Sequence, residues 1–276
     1  MSPTIANKTG TSPRPLCGLS AVVTGASSGI GRQIAIQFAS AGCANLLVHF
    51  NRNLAAAEIV ANETRALGAE ASVDQCDFGQ PNQIQSFVAR CFESLPQIDL
   101  WVHCAGADVL TGEAADWSFD KKLQRLIDVD LVGSIQTGRF VAEGLQRQSR
   151  QHSDRLPPSM LFIGWDQASD GMEGDAGQMF GPIKAGVEAF ARSLAQEIAP
   201  LVRVNIIAPG WIQTAWGQTA SEYWNQRAQR QALMHRWGEP SDVAAAAVFL
   251  STPTNSFITG QTLQINGGWN RRFDSL

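Results

Sequence analysis

Short apolar runs rich in β-branched residues alternate along this chain with longer segments of helical spacing. The runs are AVVT (21–24), NLLVHF (45–50), ASVDQ (71–75), DLWVH (99–103), MLFI (160–163), VRVNII (202–207) and TLQI (262–265). Between them, apolar residues recur every three to four positions, as at Ile30, Ile34 and Phe38, which is the spacing of one helix face. This regular alternation predicts an α/β fold built on a parallel, doubly wound sheet.

The alternation extends over most of the chain and indicates a single domain. With 276 residues, of which 44% are hydrophobic, the chain can bury one sizeable core. Residues 1–15, MSPTIANKTGTSPRP, are rich in Ser, Thr and Pro and lack the apolar segment of a signal peptide. They predict a disordered tail ahead of a domain at 16–276.

Two stretches interrupt the alternation. One is a polar connection at 146–158, and the other is a region at 211–240 with a helix of its own at about 221–232. In parallel sheets of this kind, ligands bind beyond the carboxyl ends of the strands. The second stretch is therefore predicted to form a lid over a ligand, with an ordinary surface helix as the alternative.

Composition argues against several classes of protein. The formal net charge of −4 and the pI near 5.6 give no basic field for nucleic acid, and the apolar runs are too short to span a membrane. Five cysteines without a CxxC pair indicate neither a disulfide framework nor a metal site. We expect a cytoplasmic protein.

A glycine-rich turn follows the first predicted strand and opens the first predicted helix. It reads TGASSGIG, residues 24–31. Gly25 permits a tight turn, Gly29 lets the backbone approach a pyrophosphate, and Gly31 allows close packing of the helix. The free N–H groups at the helix start favour an anion, so the turn predicts a phosphate-binding site.

With four further motifs, this turn resembles the short-chain dehydrogenase/reductase family, and within it the 3-oxoacyl-ACP reductase-like members. The motifs are CDF (76–78), HCAG (103–106, similar to the family's NNAG), PGWIQT (209–214) and ITGQTLQINGG (258–268). The resemblance covers about 19–269 and implies a Rossmann-type fold and a nicotinamide dinucleotide. The cofactor-binding residues that it implies, together with those of the loop after the second strand, are Gly25, Ser27, Ser28, Gly29, Ile30, Gly31, Asn51, Arg52, Asn53, Asp77, Phe78, Ala105, Gly106, Lys184, Pro209, Gly210, Ile212 and Thr214.

The loop after the second strand bears on the choice of dinucleotide. An NAD site usually carries an acid there, about 20 residues beyond the glycines, to accept from the ribose 2′-OH. This chain has Asn51, Arg52 and Asn53 instead. Because a guanidinium can form a forked, charge-assisted pair with a 2′-phosphate, Arg52 favours NADP(H). The alternative is a solvated loop arginine.

The resemblance also implies four catalytic positions, and three of them depart from the family. The family has a Tyr and a Lys four residues apart on one helix, a Ser at the end of the fifth strand and an Asn in the preceding helix. Here Phe180 stands at the Tyr position and Asp130 at the Asn position, while Lys184 is kept. The Ser position falls on Gly164, Trp165 or Asp166. The proton-transfer half of the site is thus expected to differ from that of a typical reductase.

The loss of the tyrosine leaves two hypotheses open. A positioned acid or base is worth roughly 10²- to 10⁴-fold in rate, so one hypothesis is an NADP(H)-dependent oxidoreductase of weak or atypical activity. The other is a non-catalytic NADP(H)-binding protein that acts as a sensor or oligomer partner, in which Lys184 serves cofactor binding alone. Asp130 and Asp166 are candidate substitute acids, although acids at such places are more often loop or cap groups.

The predicted cleft is rich in aromatic residues, which are Trp165, Phe180, Trp211, Trp216, Trp224 and Trp237. They predict an apolar or aromatic small-molecule ligand, with packing of the lid on the sheet as the alternative. The resemblance further implies a homotetramer or homodimer formed through helices at about 121–148 and 177–199.

Overall fold

Within residues 14–152 and 154–271, which the computed structural model describes, seven strands form one parallel sheet. Their order across the sheet is β3-β2-β1-β4-β5-β6-β7. The strands are β1 (Ser20–Val23), β2 (Asn45–Phe50), β3 (Glu70–Gln75), β4 (Leu100–His103), β5 (Ser159–Ile163), β6 (Arg203–Pro209) and β7 (Thr262–Ile265). The chain reverses its direction across the sheet between β1 and β4, which is where ligands bind in such folds.

Helices cover both faces of the sheet. They are α1 (Gly29–Ser40), α2 (Leu54–Ala66), α3 (Pro81–Ser94), α4 (Phe119–Leu126), α5 (Gly133–Gln151), α6 (Gly174–Ile198), α7 (Ala215–Gln218), α8 (Glu222–Gln231) and α9 (Pro240–Ser251). Successive strand residues face opposite sides, so Val23 packs in the core with α1, α2 and α9, while Val22 packs in the core with α3, α5 and α6. The predicted α/β fold is confirmed.

The predicted polar connection at 146–158 is helical in its first part. Helix α5 continues to Gln151 because its polar side chains bind neighbouring backbone. The Gln148 side chain accepts from the N–H of Ile98 at 2.9 Å and donates to its carbonyl oxygen at 2.8 Å. The Ser149 hydroxyl donates to the carbonyl oxygen of Leu201. The polar residues at the end of α5 therefore belong to a helix whose side chains make tertiary hydrogen bonds. The prediction of a connection starting at 146 is wrong.

Most of the predicted N-terminal tail lies outside the described residues. Of residues 1–15, the structure describes Arg14 and Pro15, and the carbonyl oxygen of Arg14 accepts from the N–H of Cys17. Leu16 is buried in the core beside α1. Across the described ranges, no helix is long and apolar enough to cross a membrane.

The region 211–240 carries α7 and α8, and α8 agrees with the helix predicted at about 221–232. Its two ends are joined at the base, where Gln213 N donates to the carbonyl oxygen of Gly238 and Gly238 N donates to that of Trp211, both at 2.8 Å. The region follows β6 directly, so it lies at the carboxyl edge of the sheet.

Candidate functional site

The glycine-rich turn connects β1 to α1 in a conformation that requires glycine. Gly25 has a φ of +64°, and a Cβ there would lie 2.8 Å from the Cα of Ala105. The Thr24 hydroxyl holds this close approach by accepting from the N–H groups of Cys104 and Ala105, each at 3.0 Å. The turn is therefore fixed against the HCAG segment at the end of β4.

His49, at the end of β2, holds the same turn from the other side. The N–H of Gly25 donates to its Nδ1 at 3.0 Å, so Nε2 carries the proton and donates to the carbonyl oxygen of Cys76. Burial lowers the pKa of His49 to about 4, which keeps the ring neutral. The sequence reasoning missed this residue, although a histidine inside an otherwise apolar strand is a signal that could have identified it.

His103 and Cys104, which replace the two asparagines of the family motif, are also buried beside the turn. His103 packs edge-on against Phe78, with ring centroids 5.1 Å apart, and burial lowers its pKa to about 3. Burial raises the pKa of the Cys104 thiol to about 12. Both groups are therefore neutral near pH 7 and do not supply charge to the site.

A cavity of about 460 Å³ opens in front of the turn, and we call it the glycine-loop cavity. The predicted cofactor-binding residues that line it are Gly25, Ser27, Ser28, Gly29, Ile30, Gly31, Asn51, Phe78, Ala105, Gly106 and Thr214. Ser28 precedes α1, and its side chain makes no capping hydrogen bond. Since the first N–H groups of a helix lack partners within it, the cavity presents donors to an anion.

Seven predicted cofactor residues do not line this cavity. Lys184, Pro209, Gly210 and Ile212 line a second cavity instead, and Arg52, Asn53 and Asp77 line neither. Asp77 accepts from the N–H of Gly79 at 2.9 Å and forms an ion pair with Arg125 at 3.2 Å. Asn53 caps α2 by accepting from the N–H of Ala56. Arg52 is exposed beside them, at the end of β2 next to Asn51. The structure thus brings Asn51 to the cavity wall, whereas Arg52 is exposed and does not line the cavity.

Phe180 and Lys184 lie one turn apart on α6, as their spacing predicts. Phe180 lines the glycine-loop cavity and also a second cavity, whereas Lys184 lines the second alone. The Lys184 ammonium forms an ion pair with Asp130 Oδ2 at 3.1 Å and donates to the carbonyl oxygen of Ile163 at 3.4 Å. Phe180 stands at the junction of the two cavities and brings no proton to it.

Asp130 lies in a π-helical segment, Ile127–Val132, between α4 and α5. Such local widening of a helix is frequent at functional sites. Its carboxylate is 3% exposed and accepts from the N–H of Ala107 at 2.7 Å through Oδ1. A Cβ at Gly106 would lie 2.9 Å from Oδ2. Asp130 therefore lies beneath the HCAG segment, and it does not line either cavity.

Trp165 and Asp166, two of the three candidates for the serine position, point to different places. Trp165 lines the second cavity and packs edge-on against Phe180, with ring centroids 6.4 Å apart. Asp166 is buried and accepts from Asn266 Nδ2 at 3.1 Å, and burial raises its pKa to about 6. Since Asp166 lines neither cavity, the structure does not bring it to the cleft.

The second cavity, of about 450 Å³, is walled by aromatic rings, and we call it the tryptophan cavity. The region 211–240 contributes Trp211, Trp216, Trp224 and Trp237, and five pairs among them have ring centroids 5.6–6.2 Å apart. Of the described residues that line the cavity, Lys184 is the one with a charged side chain. The space suits a flat apolar body with one polar end.

The region 211–240 is attached to the loop after β5 by an ion pair. Arg227 of α8 is bound by both carboxylate oxygens of Glu173, with Nη2 to Oε2 at 2.9 Å. The guanidinium also lies over Trp211 and Trp224, at 5.8 and 5.3 Å from the ring centroids. Within residues 14–152 and 154–271, no group of three or more His, Cys, Asp or Glu side chains is placed to hold a metal.

Known proteins resemble this chain over nearly its whole length. A family model described as enoyl-(acyl carrier protein) reductase matches residues 25–270. The chain is 31% identical over 256 residues to a 3-oxoacyl-[acyl-carrier-protein] reductase of Synechocystis, covering 90% of this chain and 95% of that protein. It is 30% identical over 261 residues to the reductase FabG of Aquifex aeolicus, covering 92% and 98%.

Solved structures agree with these relatives. A 7α-hydroxysteroid dehydrogenase in complex with NADH and 7-oxo glycochenodeoxycholic acid superposes with a TM-score of 0.81 at 26% identity, covering 97% of this chain and all of that one. A short-chain dehydrogenase/reductase of Brucella melitensis gives a TM-score of 0.77 at 28% identity, covering 92% and 97%. With a family model matched over residues 25–270, which include β2 to β7 and the residues of both cavities, this chain belongs to the short-chain dehydrogenase/reductase family of oxidoreductases.

Proposed function

We propose that this protein is an oxidoreductase that binds NADP(H) in the glycine-loop cavity and reduces a carbonyl of an apolar or aromatic small molecule in the tryptophan cavity. The observation that carries the proposal is that the two cavities share a wall at Phe180, Ile30 and Thr214. Ligands in the two spaces therefore lie side by side, as a hydride donor and its acceptor must.

The residues of the glycine-loop cavity fit a dinucleotide. Gly25 adopts a left-handed conformation against Ala105, and α1 presents uncapped N–H groups, which favour a pyrophosphate. No carboxylate lies on the loop 51–53 to accept from a ribose 2′-OH. Arg52 supplies a guanidinium for a 2′-phosphate, with Ser28 and Asn51 as further donors, which supports NADP(H) over NAD(H).

The bound cofactor would supply hydride, and the chain's own residues would hold the cofactor, orient the acceptor and exclude water. Thr214 lines both cavities, and the family resemblance implies that it would hold the carboxamide. The tryptophan rings exclude water and orient an apolar body. Lys184 presents the positive end of its ion pair to the tryptophan cavity, because Asp130 lies behind it and lines neither space. Phe180 cannot donate a proton, which supports an atypical activity.

Calorimetry and turnover test the proposal. NADPH is titrated into the purified protein, and its consumption is then followed with a panel of aldehydes, ketones and quinones. We expect saturable binding of NADPH and acceptor-dependent consumption with at least one aromatic member of the panel. Absence of NADPH binding would exclude the proposed function.

A second candidate function is a non-catalytic NADP(H)-binding protein. Phe180 and Trp165 favour it, because they stand where the resemblance places the proton donor and the substrate-orienting hydroxyl. The same calorimetry separates the two functions. A sensor would bind NADPH, and no acceptor would lead to consumption of the bound NADPH.

For either function we propose a homotetramer or homodimer formed through helices at about 121–148 and 177–199. Small residues at Ala185, Ala189 and Ser193, four apart on α6, favour close approach of two copies across a two-fold axis. Light scattering at micromolar concentration should return a multiple of the 29.8 kDa chain. A monomer would contradict this proposal.

A further inference from the structure

The tryptophan cavity combines aromatic walls with a single charged side chain among the described residues that line it. Six of its lining residues are aromatic, and the charge is the ammonium of Lys184. Two of the indole N–H groups are engaged elsewhere, since Trp211 donates to Gln231 and Trp237 donates to Asn225. Neither Gln231 nor Asn225 lines the cavity, so these two N–H groups are used outside it, and the ammonium of Lys184 is the charged donor among the lining residues.

Lys184 keeps donor capacity for a ligand. An ammonium has three N–H groups, and two acceptors are in reach of this one, Asp130 Oδ2 at 3.1 Å and the carbonyl oxygen of Ile163 at 3.4 Å. Asp130 is buried behind Lys184, so the positive end of the pair faces the cavity. A ligand oxygen that carries negative charge is therefore favoured beside Lys184.

The absence of a phenol at position 180 restricts which acceptors such a site can reduce. Hydride addition to an isolated ketone leaves an alkoxide, which is about as basic as hydroxide. The conjugate acid of hydroxide is water, with a pKa of about 15.7. A phenolate is far less basic, with a conjugate acid of pKa about 10. The first product needs a positioned acid as it forms, whereas the second can leave the site as an anion and be protonated by water.

We infer, on the basis of the proposed function, that the tryptophan cavity takes a planar quinone-type acceptor between its aromatic walls and holds the resulting phenolate oxygen against Lys184. A C–H bond of the reduced nicotinamide would break as its hydrogen and electron pair form an O–H bond at one quinone oxygen, and the quinone π bonds would shift to give an aromatic ring. The π electron pair that is displaced by this shift moves to the opposite quinone oxygen, which becomes a phenolate. The quinone is reduced by two electrons to a hydroquinone monoanion, the cofactor is oxidised by two, and water later protonates the phenolate.

Binding of a phenol tests the site without turnover. 2-Naphthol is a suitable probe because its phenolate and neutral forms absorb at different wavelengths. Its ionisation is followed across pH when bound to the full chain, with and without NADP⁺. We expect half-ionisation of the bound naphthol about one pH unit or more below that of free naphthol, since an opposite charge favours the anion.

Matched variants assign the shift to Lys184. Lys184→Met alone leaves Asp130 buried without its partner, so Lys184→Met/Asp130→Asn is the variant to use, with its fold checked by urea unfolding. The double variant should lose the shift in naphthol ionisation, and Lys184→Arg should retain most of that shift. Lys121→Met is the control, because Lys121 lies over Trp117 and lines neither cavity. A shift that survives in the double variant, or that is absent from the wild type, overturns the inference.

Turnover separates this inference from the proposed function. 2-Methyl-1,4-naphthoquinone is compared with 1-decalone, a saturated ketone of similar size, after subtraction of the rate without protein. We expect the quinone to be reduced roughly 10²-fold faster or more, which is the lower range of what a missing general acid costs. Equal rates would overturn the inference and leave the proposed function intact. If none of the acceptors tested supports NADPH consumption, the proposed function fails. A shift in naphthol ionisation that depends on Lys184 would still support the phenolate site.

Discussion

The ammonium of Lys184 lies 3.1 Å from the carboxylate of Asp130, and the two side chains are 17% and 3% exposed. Each offsets the desolvation of the other, because removal of one member of a buried pair leaves an uncompensated charge. Lys184→Met should therefore destabilise the protein by about 3–5 kcal/mol.

The double variant Lys184→Met/Asp130→Asn should regain most of that loss. The amide introduced at position 130 would keep an oxygen for the N–H of Ala107, which now donates to Asp130 Oδ1, and would carry no charge. Urea unfolding of the wild type, both single variants and the double variant gives the coupling energy. Additive effects of the two substitutions would show that the pair does not act as a unit.

Restoration of the phenol alone should not create a strong ketone reductase. Phe180→Tyr would place a hydroxyl near Lys184 on the same face of α6, where the positive charge lowers the pKa of a phenol. Trp165 or Asp166 would still stand where the resemblance implies a substrate-orienting hydroxyl, and groups that act together are non-additive when restored singly. Rates of NADPH consumption with aliphatic ketones should rise further in the triple variant Phe180→Tyr/Asp130→Asn/Trp165→Ser than in any single one. Strong ketone reduction by the unmodified chain would contradict this prediction.

NADP(H) should bind roughly tenfold tighter than NAD(H) or better, a difference of about 1.4 kcal/mol. Arg52 is exposed and directly follows Asn51, which lines the glycine-loop cavity, and we propose that its guanidinium pairs with a 2′-phosphate. Arg52→Ala should remove most of the preference in equilibrium titrations with the two cofactors. Arg147→Ala, on α5, removes the same charge away from both cavities and should leave the preference unchanged.

Asp166 should make the protein less stable as the pH rises. Burial raises its pKa from an ordinary value of 3.8 to about 6, so the folded state holds this proton more tightly than the unfolded chain does. Its contribution to stability is fully present below pH 4 and is lost as the pH rises through about 6, by about 3 kcal/mol in total.

Asp166→Asn isolates this effect. The free energy of unfolding of the variant, relative to the wild type, should increase between about pH 4 and pH 7. Asn266 donates to Asp166 Oδ2 and favours its charged form, and Asp170 opposes it. Asp170→Asn, at an exposed position, is the control and should show a much smaller change with pH. A constant difference between the Asp166 variant and the wild type would contradict the prediction.

The sheet could be predicted from local sequence because each strand is a short apolar run bounded by polar residues. The predicted bounds of β2 and β7 coincide with those in the structure, and the predicted lid helix corresponds to α8. The polar connection predicted at 146–158 begins too early, because α5 continues to Gln151 and its Gln148 and Ser149 make tertiary hydrogen bonds that no local pattern reveals.

The site was harder to predict from sequence because many of its contacts join residues that are far apart along the chain. The glycine-rich turn is continuous in sequence and could be recognised at once. Its support by His49 joins residues 24 positions apart, and the bond between Glu173 and Arg227 spans 54 positions. Asp166 directly follows Trp165, yet it turns away from the cleft toward Asn266. Contacts of this kind depend on how the chain folds back on itself.

The four tryptophans of the region 211–240 have a consequence for optical measurements. Their ring centroids are as close as 5.6–6.2 Å, so their electronic transitions couple and excitation passes readily among them. An aromatic guest that enters between the rings becomes the nearest acceptor of that excitation. The intrinsic fluorescence of the unlabelled chain should therefore report occupancy of the cavity, and a library of unmodified compounds can be screened for ligands before any turnover assay exists.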